Sequence, residues 1–188
     1  GIRIIENKLD KKPIYFEHNW EPIENISMNL QKAVIASEDG TFLHHHGFDF
    51  SDMQKAFQNN ASGKRIKGGS TISQQSAKNV FLWQGRSYFR KALEAYFTVL
   101  IELIWGKERI MEVYLNSIEM GDGIYGAHAA TQYWYGKDAS SLTKIQAAGI
   151  AAILPNPRKF KASNSTAFIN RRKDRIVRVM RHIGTIEY

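Results

Sequence analysis

Residues 87–106 read S-Y-F-R-K-A-L-E-A-Y-F-T-V-L-I-E-L-I-W-G. Phe89, Leu93, Tyr96, Phe97, Leu100, Ile101 and Ile104 recur at spacings of three and four, which predicts one long helix with a broad apolar stripe. Ser87 supplies its cap, since a side-chain oxygen before the first turn accepts an otherwise orphaned backbone N–H. Gly106 ends it. Glu102 interrupts the apolar run from Tyr96 to Trp105, and that run, like the one from Ala147 to Leu154, falls well short of the ~20 residues a membrane span needs.

The same periodicity extends outward from this helix. Ser27 caps a helix through Leu30, Val34 and Ile35 that leads into Glu38, and Ser51 caps a short one through Met53, Ala56 and Phe57. Ile110, Val113 and Tyr114 mark the next. Thr143 and Gln146 form a capping box before Ala147 to Leu154, which Pro155 and Pro157 stop. Ser165 opens a last basic helix through Ile169, Ile176, Val179 and Met180, closed by Gly184. Only Arg3 to Ile5 and Ile14 to Phe16 read as strands. Asn59 to Gly69 reads as a loop, and the three glycines from Gly121 to Gly126 as a tight irregular turn. The fold class is mainly α.

Composition narrows the functional classes. At 188 residues the chain fits one domain, against a prior of roughly 150 residues per domain. It has 0 Cys, which excludes disulfide scaffolds, thiol nucleophiles and cysteine zinc sites together. Lys+Arg 26 against Asp+Glu 18 gives a net charge of +8, which favours polyanionic partners: nucleic acid, anionic membrane or a phosphorylated substrate.

Several familiar signatures fail on inspection. Gly63 to Ser70 resembles a P-loop, but Gly69 stands where the phosphate-binding Lys belongs and no apolar strand precedes it. Ser141 to Lys144 fits S-x-x-K, but no K-T-G follows. His44, His45 and His46 cannot converge on a metal from one regular element, so a hydrogen-bonded structural role is expected for at least one. Arg171, Arg172, Lys173, Arg175, Arg178 and Arg181 cover much of one helix rather than forming a groove-reading tip. They read as a solvated basic face, and no nucleic-acid partner is expected.

The carboxylates carry more. Glu38-Asp39 ends a predicted helix, and Glu94 sits inside an apolar one behind Arg90 and Lys91. A carboxylate in a partly buried apolar setting has a raised pKa and is a candidate acid or base, though each also suits a salt bridge. Gly68 to Gln75, with Lys78 and Asn79, is poor core material at a helix start; it suits binding hydroxyls, amides and phosphates.

These segments together resemble a known family. E-D-G-T-F-L-H-H-H-G (Glu38 to Gly47), G-G-S-T-I-S-Q-Q-S-A-K-N (Gly68 to Asn79), R-K-A-L-E-A (Arg90 to Ala95) and I-M-E-V-Y-L-N-S-I-E-M-G (Ile110 to Gly121) look like the ordered motifs of the family 51 peptidoglycan glycosyltransferases. A fifth, from Tyr125-Gly126 to Tyr135-Gly136-Lys137, matches too. The match runs from about Pro22 to Pro157. Phe81 to Ser87 and Leu154 to Arg158 look most like the monofunctional biosynthetic transglycosylases. Ser73 stands where Thr is usual, and Trp134 where Tyr or Phe is common.

The resemblance implies a single lysozyme-like helical domain over 1–188, with a large lobe and a smaller membrane-facing one. It implies polymerisation of lipid II into β-1,4-linked glycan at the outer face of the bacterial membrane, and an anchor helix preceding Gly1. Glu38 matches the catalytic base, Lys78 and Arg86 would neutralise the leaving pyrophosphate, and Glu94 would orient basic groups. The family often adds a divalent cation, Mg²⁺ or Mn²⁺, which Glu38 would help hold. Ser70, Gln74, Gln75 and Asn79 are candidates for sugar and phosphate contacts, or for capping and helix-surface bonds. Asp39, Tyr114 and Asn116 are expected to support the cleft. Lys55, Lys64, Arg65 and Lys67 would meet phosphate from the loop between the first two motifs.

Phe81, Leu82, Trp83, Tyr88 and Phe89 gather apolar area that either dips into the membrane interface or packs in the core. Expected partners are lipid II, the growing lipid-linked glycan, the membrane surface, and cell-division or elongation proteins. Two rivals remain: a lysozyme-like hydrolase using Glu38 as general acid, and a non-catalytic binding module that would tolerate Glu38→Gln.

Overall fold

Capping chemistry sets the helix starts. The computed structural model describes residues 19–51, 54, 69–83, 85 and 87–188. Helix α1 (Met28–Glu38) follows Ser27, whose Oγ accepts from Asn29 N at 3.2 Å. Helix α2 (Ile72–Phe81) opens on a capping box between Thr71 and Gln74. Ser87 caps α3 (Tyr88–Ile104), accepting from Arg90 N. Gly106, at φ +70°, breaks the chain direction and starts α4 (Gly106–Ser117). A hairpin of β1 (Glu119–Gly121) and β2 (Ile124–Tyr125) leads to α5 (Ala127–Tyr135). Helix α6 (Lys144–Ile153) carries the second capping box, Thr143 with Gln146, and α7 (Ala167–Met180) closes the order.

The helices pack as two groups: α1, α6 and α7 in one, α2, α3 and α4 in the other. Every residue of α6 from Ala147 to Ile153 is buried, and its alanines let α1 and α7 close on it from both sides. Gly149 is the tightest point. A Cβ there would lie 2.3 Å from the Tyr135 hydroxyl, 3.1 Å from the Ala162 carbonyl and 3.1 Å from Lys173 Cε. The groups are stitched where α1 ends and α2 begins: Asp39 Oδ2 accepts from Ile72 N at 2.9 Å, and Thr71 Oγ1 donates to Gly47 O at 2.6 Å.

The structure corrects four details of the sequence reading. Ser51 is already helical, and its hydroxyl donates to Asp49 Oδ1 instead of capping. The segment from Gly121 to Gly126 is part of a hairpin, because Gly126 at φ +81° lets the backbone pass where a Cβ would lie 2.9 Å from Asn116 O. Thr166 caps α7, while the Ser165 hydroxyl donates to the carbonyls of Lys161 and Ala162; α7 ends at Met180, short of Gly184. The buried stripe on α3 is narrower than the periodicity predicts: Glu94, Thr98 and Ile101 are its buried residues, while Phe89, Tyr96 and Ile104 face outward. The strand readings near Arg3 and Ile14, the helix residues Met53, Ala56 and Phe57, and the loop cations Lys55, Lys64, Arg65 and Lys67 lie outside the described residues.

Candidate active site

Glu38 ends α1 half-buried, where its two oxygens have different partners. Oε1 accepts from the Ser37 hydroxyl at 3.0 Å and Oε2 from Gln75 Nε2 at 3.4 Å. Burial pushes its carboxyl above the ordinary value, and the Asp39 charge adds to this. The two hydrogen bonds and the Arg172 guanidinium act the other way.

Asp39 faces away into the protein. Both its oxygens lie 3.0 Å from His45 Nε2, and Oδ2 also accepts from Ile72 N. Gly47 N donates to His45 Nδ1 at 3.1 Å, so the ring proton sits on Nε2 and is donated to Asp39. His45 is thus the hydrogen-bonded histidine of the triplet. Gly47 itself lies so close to α3 that a Cβ would meet Thr98 Cγ2 at 2.8 Å.

One turn of α2 joins this carboxylate to a second centre. Gln75 reaches Glu38, and Lys78, three residues on and therefore on the same face, interacts with Glu94. Glu94 is 3% exposed, with Arg90 Nη1 3.1 Å from Oε2 and Lys91 Nζ 2.5 Å from Oε1. Two cations therefore pair with one carboxylate, and a third, Lys78, feels its charge. Burial pulls the Lys78 ammonium below its ordinary value; Glu94 opposes that shift, while Arg90 and Lys91 reinforce it. Arg90 Nε is buried without a hydrogen-bond partner, a donor unmatched by the protein.

The family profile described as Transglycosylase matches residues 7–181, nearly the whole chain. The chain belongs to the transglycosylase family. A biosynthetic peptidoglycan transglycosylase of Caulobacter vibrioides is 58% identical over 160 residues, 85% of this chain and 70% of that protein. Proteins of the same name from Pseudomonas syringae pv. syringae and Chromohalobacter salexigens are each 50% identical over 186 residues, 99% of this chain, and are covered to 79% and 80%.

Within this transglycosylase the structure brings Glu38, Gln75, Lys78 and Glu94 along one wall. Ser70 stands at the approach to α2, its carbonyl 3.5 Å from Gln75 Nε2, and Asn79 is half-buried beside Lys78. Gln74 does not join them: it is buried, with Oε1 accepting from Thr71 N in the capping box. Arg86 lies outside the described residues. Tyr114 is fully buried and donates to Gln75 Oε1 at 3.3 Å, while Asn116 exchanges two bonds with the backbone of Glu21.

A resident divalent cation does not fit these side chains. Among the described residues no three His, Asp or Glu groups converge. Both Glu94 oxygens already face cations. A protein-held Mg²⁺ or Ca²⁺ needs several oxygen ligands.

Two residues escaped the sequence reading. Arg90 carries no charge-neutralising role in the sequence reading, which gives that to Lys78 and Arg86, although its (i, i+4) spacing already pairs it with Glu94. Arg172 was placed on a solvated face. The heptad position of Ile169 and Ile176 turns Arg172 and Lys173 inward beside them, and Arg172 Nε is buried without a hydrogen-bond partner.

Proposed function

We propose that this transglycosylase polymerises lipid II into β-1,4-linked peptidoglycan strands, releasing undecaprenyl pyrophosphate at each transfer. One observation carries the reading: adjacent turns of α2 tie a carboxylate of raised proton affinity to a lysine under the charge of a second, buried carboxylate, which itself pairs with Arg90 and Lys91. The relatives' names supply the polymer.

The chemistry needs both centres. An acceptor hydroxyl becomes a competent nucleophile when Glu38 takes its proton, and a raised pKa brings that base nearer the working pH. The new bond forms from the hydroxyl oxygen to the anomeric carbon as the carbon–oxygen bond to pyrophosphate breaks. The electron pair leaves with the phosphate, where Lys78, Arg90 and Lys91 meet the developing charge. Attack opposite an α-linked pyrophosphate gives the β product in one inverting displacement. Glu94 touches the cations and serves to hold them in place. Arg86 is proposed to add to the same charge, and Ser70, Gln75 and Asn79 to contact sugar and phosphate. A divalent cation, Mg²⁺ or Mn²⁺, is proposed to enter with the pyrophosphate, and Glu38 would help hold it.

Membrane contact is proposed through the outer side of α3. Tyr88 is 98% exposed and Leu103 77%, and with Phe89 and Tyr96 they present apolar side chains along the helix, next to exposed Phe81 at the end of α2 and Trp83 after it. No helix among the described residues is long and apolar enough to cross a membrane, so this contact would be interfacial.

The test is incubation of the chain with labelled lipid II and Mg²⁺ or Mn²⁺, beside Glu38→Gln, with products sized and then treated with lysozyme. Lysozyme-digestible polymer from the unmodified chain, absent with Glu38→Gln, is expected. Polymer made equally by both would overturn the role of Glu38. Release of sugars from added polymer, without synthesis, would favour a hydrolase.

A further inference from the structure

Glu102 is the one charge in the apolar run from Tyr96 to Trp105, and the reaction as derived above does not use it. Its carboxylate is 8% exposed and sits where three other segments meet. Oε1 accepts from the Ser73 hydroxyl at 2.5 Å and from Lys107 Nζ at 2.7 Å. Ser73 belongs to the first turn of α2 and is fully buried, and Lys107 starts α4. Lys107 Nζ in turn stands 4.6 Å above the ring of Phe42, itself fully buried in the loop after Glu38. That loop's Gly47 packs on the same stem: a Cβ there would lie 3.2 Å from Glu102 Cγ.

A buried ion pair of this kind contributes little net stability, because desolvation offsets attraction. What it does supply is direction. Ser73 lies two residues before Gln75, which bonds Glu38, and five before Lys78, whose ammonium feels the Glu94 charge. Rotation of α2 about its axis would carry both away together. The Thr71–Gln74 box fixes where α2 starts but leaves its roll to side chains that leave the helix.

We infer that Glu102 is a positioning residue for transfer: through Ser73 it sets the roll of α2, and through Lys107 and Phe42 it holds the Glu38 loop against that helix. This inference rests on the proposed site. Glu102 touches neither reacting atoms nor the cation cluster, and it acts by keeping Gln75 and Lys78 aimed at their partners. Misplacing a catalytic group by about 1 Å is enough to lower a rate roughly 100-fold.

Glu102→Gln, Ser73→Ala and Ser73→Thr test this in the full chain, with melting temperature, kcat and KM for polymerisation, and amide hydrogen exchange across 72–78. Ser73→Ala and Glu102→Gln are expected to fold, to lose ~10- to 100-fold in kcat with KM within about twofold, and to speed exchange in α2. Ser73→Thr keeps the hydroxyl and is expected to retain activity. The double variant Glu102→Gln/Ser73→Ala should be no worse than the poorer single one. Folded Glu102→Gln or Ser73→Ala with unmodified kcat and exchange would overturn the inference, as would losses in kcat that merely follow the melting temperature. Glu38→Gln run alongside separates the two readings. Should it stay active, the base assignment fails, and exchange in α2 still decides whether Glu102 positions that helix.

Discussion

The Tyr114 hydroxyl donates to Gln75 Oε1, and this fixes which end of the amide Glu38 meets. With Oε1 held at 3.3 Å, Nε2 alone points to the carboxylate. Tyr114 is fully buried and its phenol is pushed well above its ordinary value by burial, with the Glu38 and Asp39 charges adding to the shift, so it stays a donor throughout the working range. Tyr114→Phe frees the amide to turn its oxygen toward Glu38. Loss of about 1 kcal/mol in stability and roughly tenfold in kcat, equivalent to about 1.4 kcal/mol of barrier, is expected from denaturant titration and steady-state kinetics.

Glu38 should trade stability for activity. Its folded-state pKa is raised, so the protonated form is favoured by folding: the stability it contributes is present below the ordinary 4.5 and lost as pH rises through the raised value. At neutral pH the buried charge is therefore a net cost. Glu38→Gln is expected to abolish polymerisation and to raise stability by about 0.5–2 kcal/mol, with the gain over the unmodified chain vanishing toward pH 4 in thermal melts.

Arg172 adjusts, against the larger effect of burial, where the acid side of the rate profile falls. Its charge opposes the burial that raises Glu38. Arg172→Gln should move the acidic limb of kcat/KM to higher pH, because the base then holds its proton more tightly, while the limb of Arg172→Lys stays closer to that of the unmodified chain. A pH series of initial rates measures both.

The outward side of α3 should bind membrane without supporting the core. Tyr88→Ser/Leu103→Ser replaces two side chains that are largely exposed, so the melting temperature should change little. Flotation with anionic liposomes should fall several-fold, since burial of a large apolar side chain contributes about 1.5–3 kcal/mol. Unchanged flotation would remove α3 from the contact.

The helices were legible because their signals are local. Ser27, Ser87 and the Thr143–Gln146 box mark their starts by side-chain type alone, and each caps as read. The hairpin was not, since a glycine run leaves the register open, and the choice rests on Gly126 passing beside Asn116, ten residues earlier in the chain. Within the site, the motif order brought Glu38, Gln75, Lys78 and Glu94 to notice as residue types. Their grouping is tertiary, as is the inward turn of Arg172, because a run of basic residues looks alike whether or not the charge of one of them reaches a carboxylate on another helix. Gln74 shows the converse: an amide in a binding-type segment can be wholly taken up by its own helix cap.

Helix α6 works as a shim. Its thickness is held down by alanines and, at Gly149, by the lack of even a methyl group, which would run into the Tyr135 hydroxyl and crowd Lys173 Cε and the Ala162 carbonyl. Lys173 adjoins Arg172, so the gauge of this helix bears on the face of α7 whose Arg172 charge reaches Glu38. A single added carbon at position 149 would lie against the Tyr135 hydroxyl and prise the three helices apart from within the core.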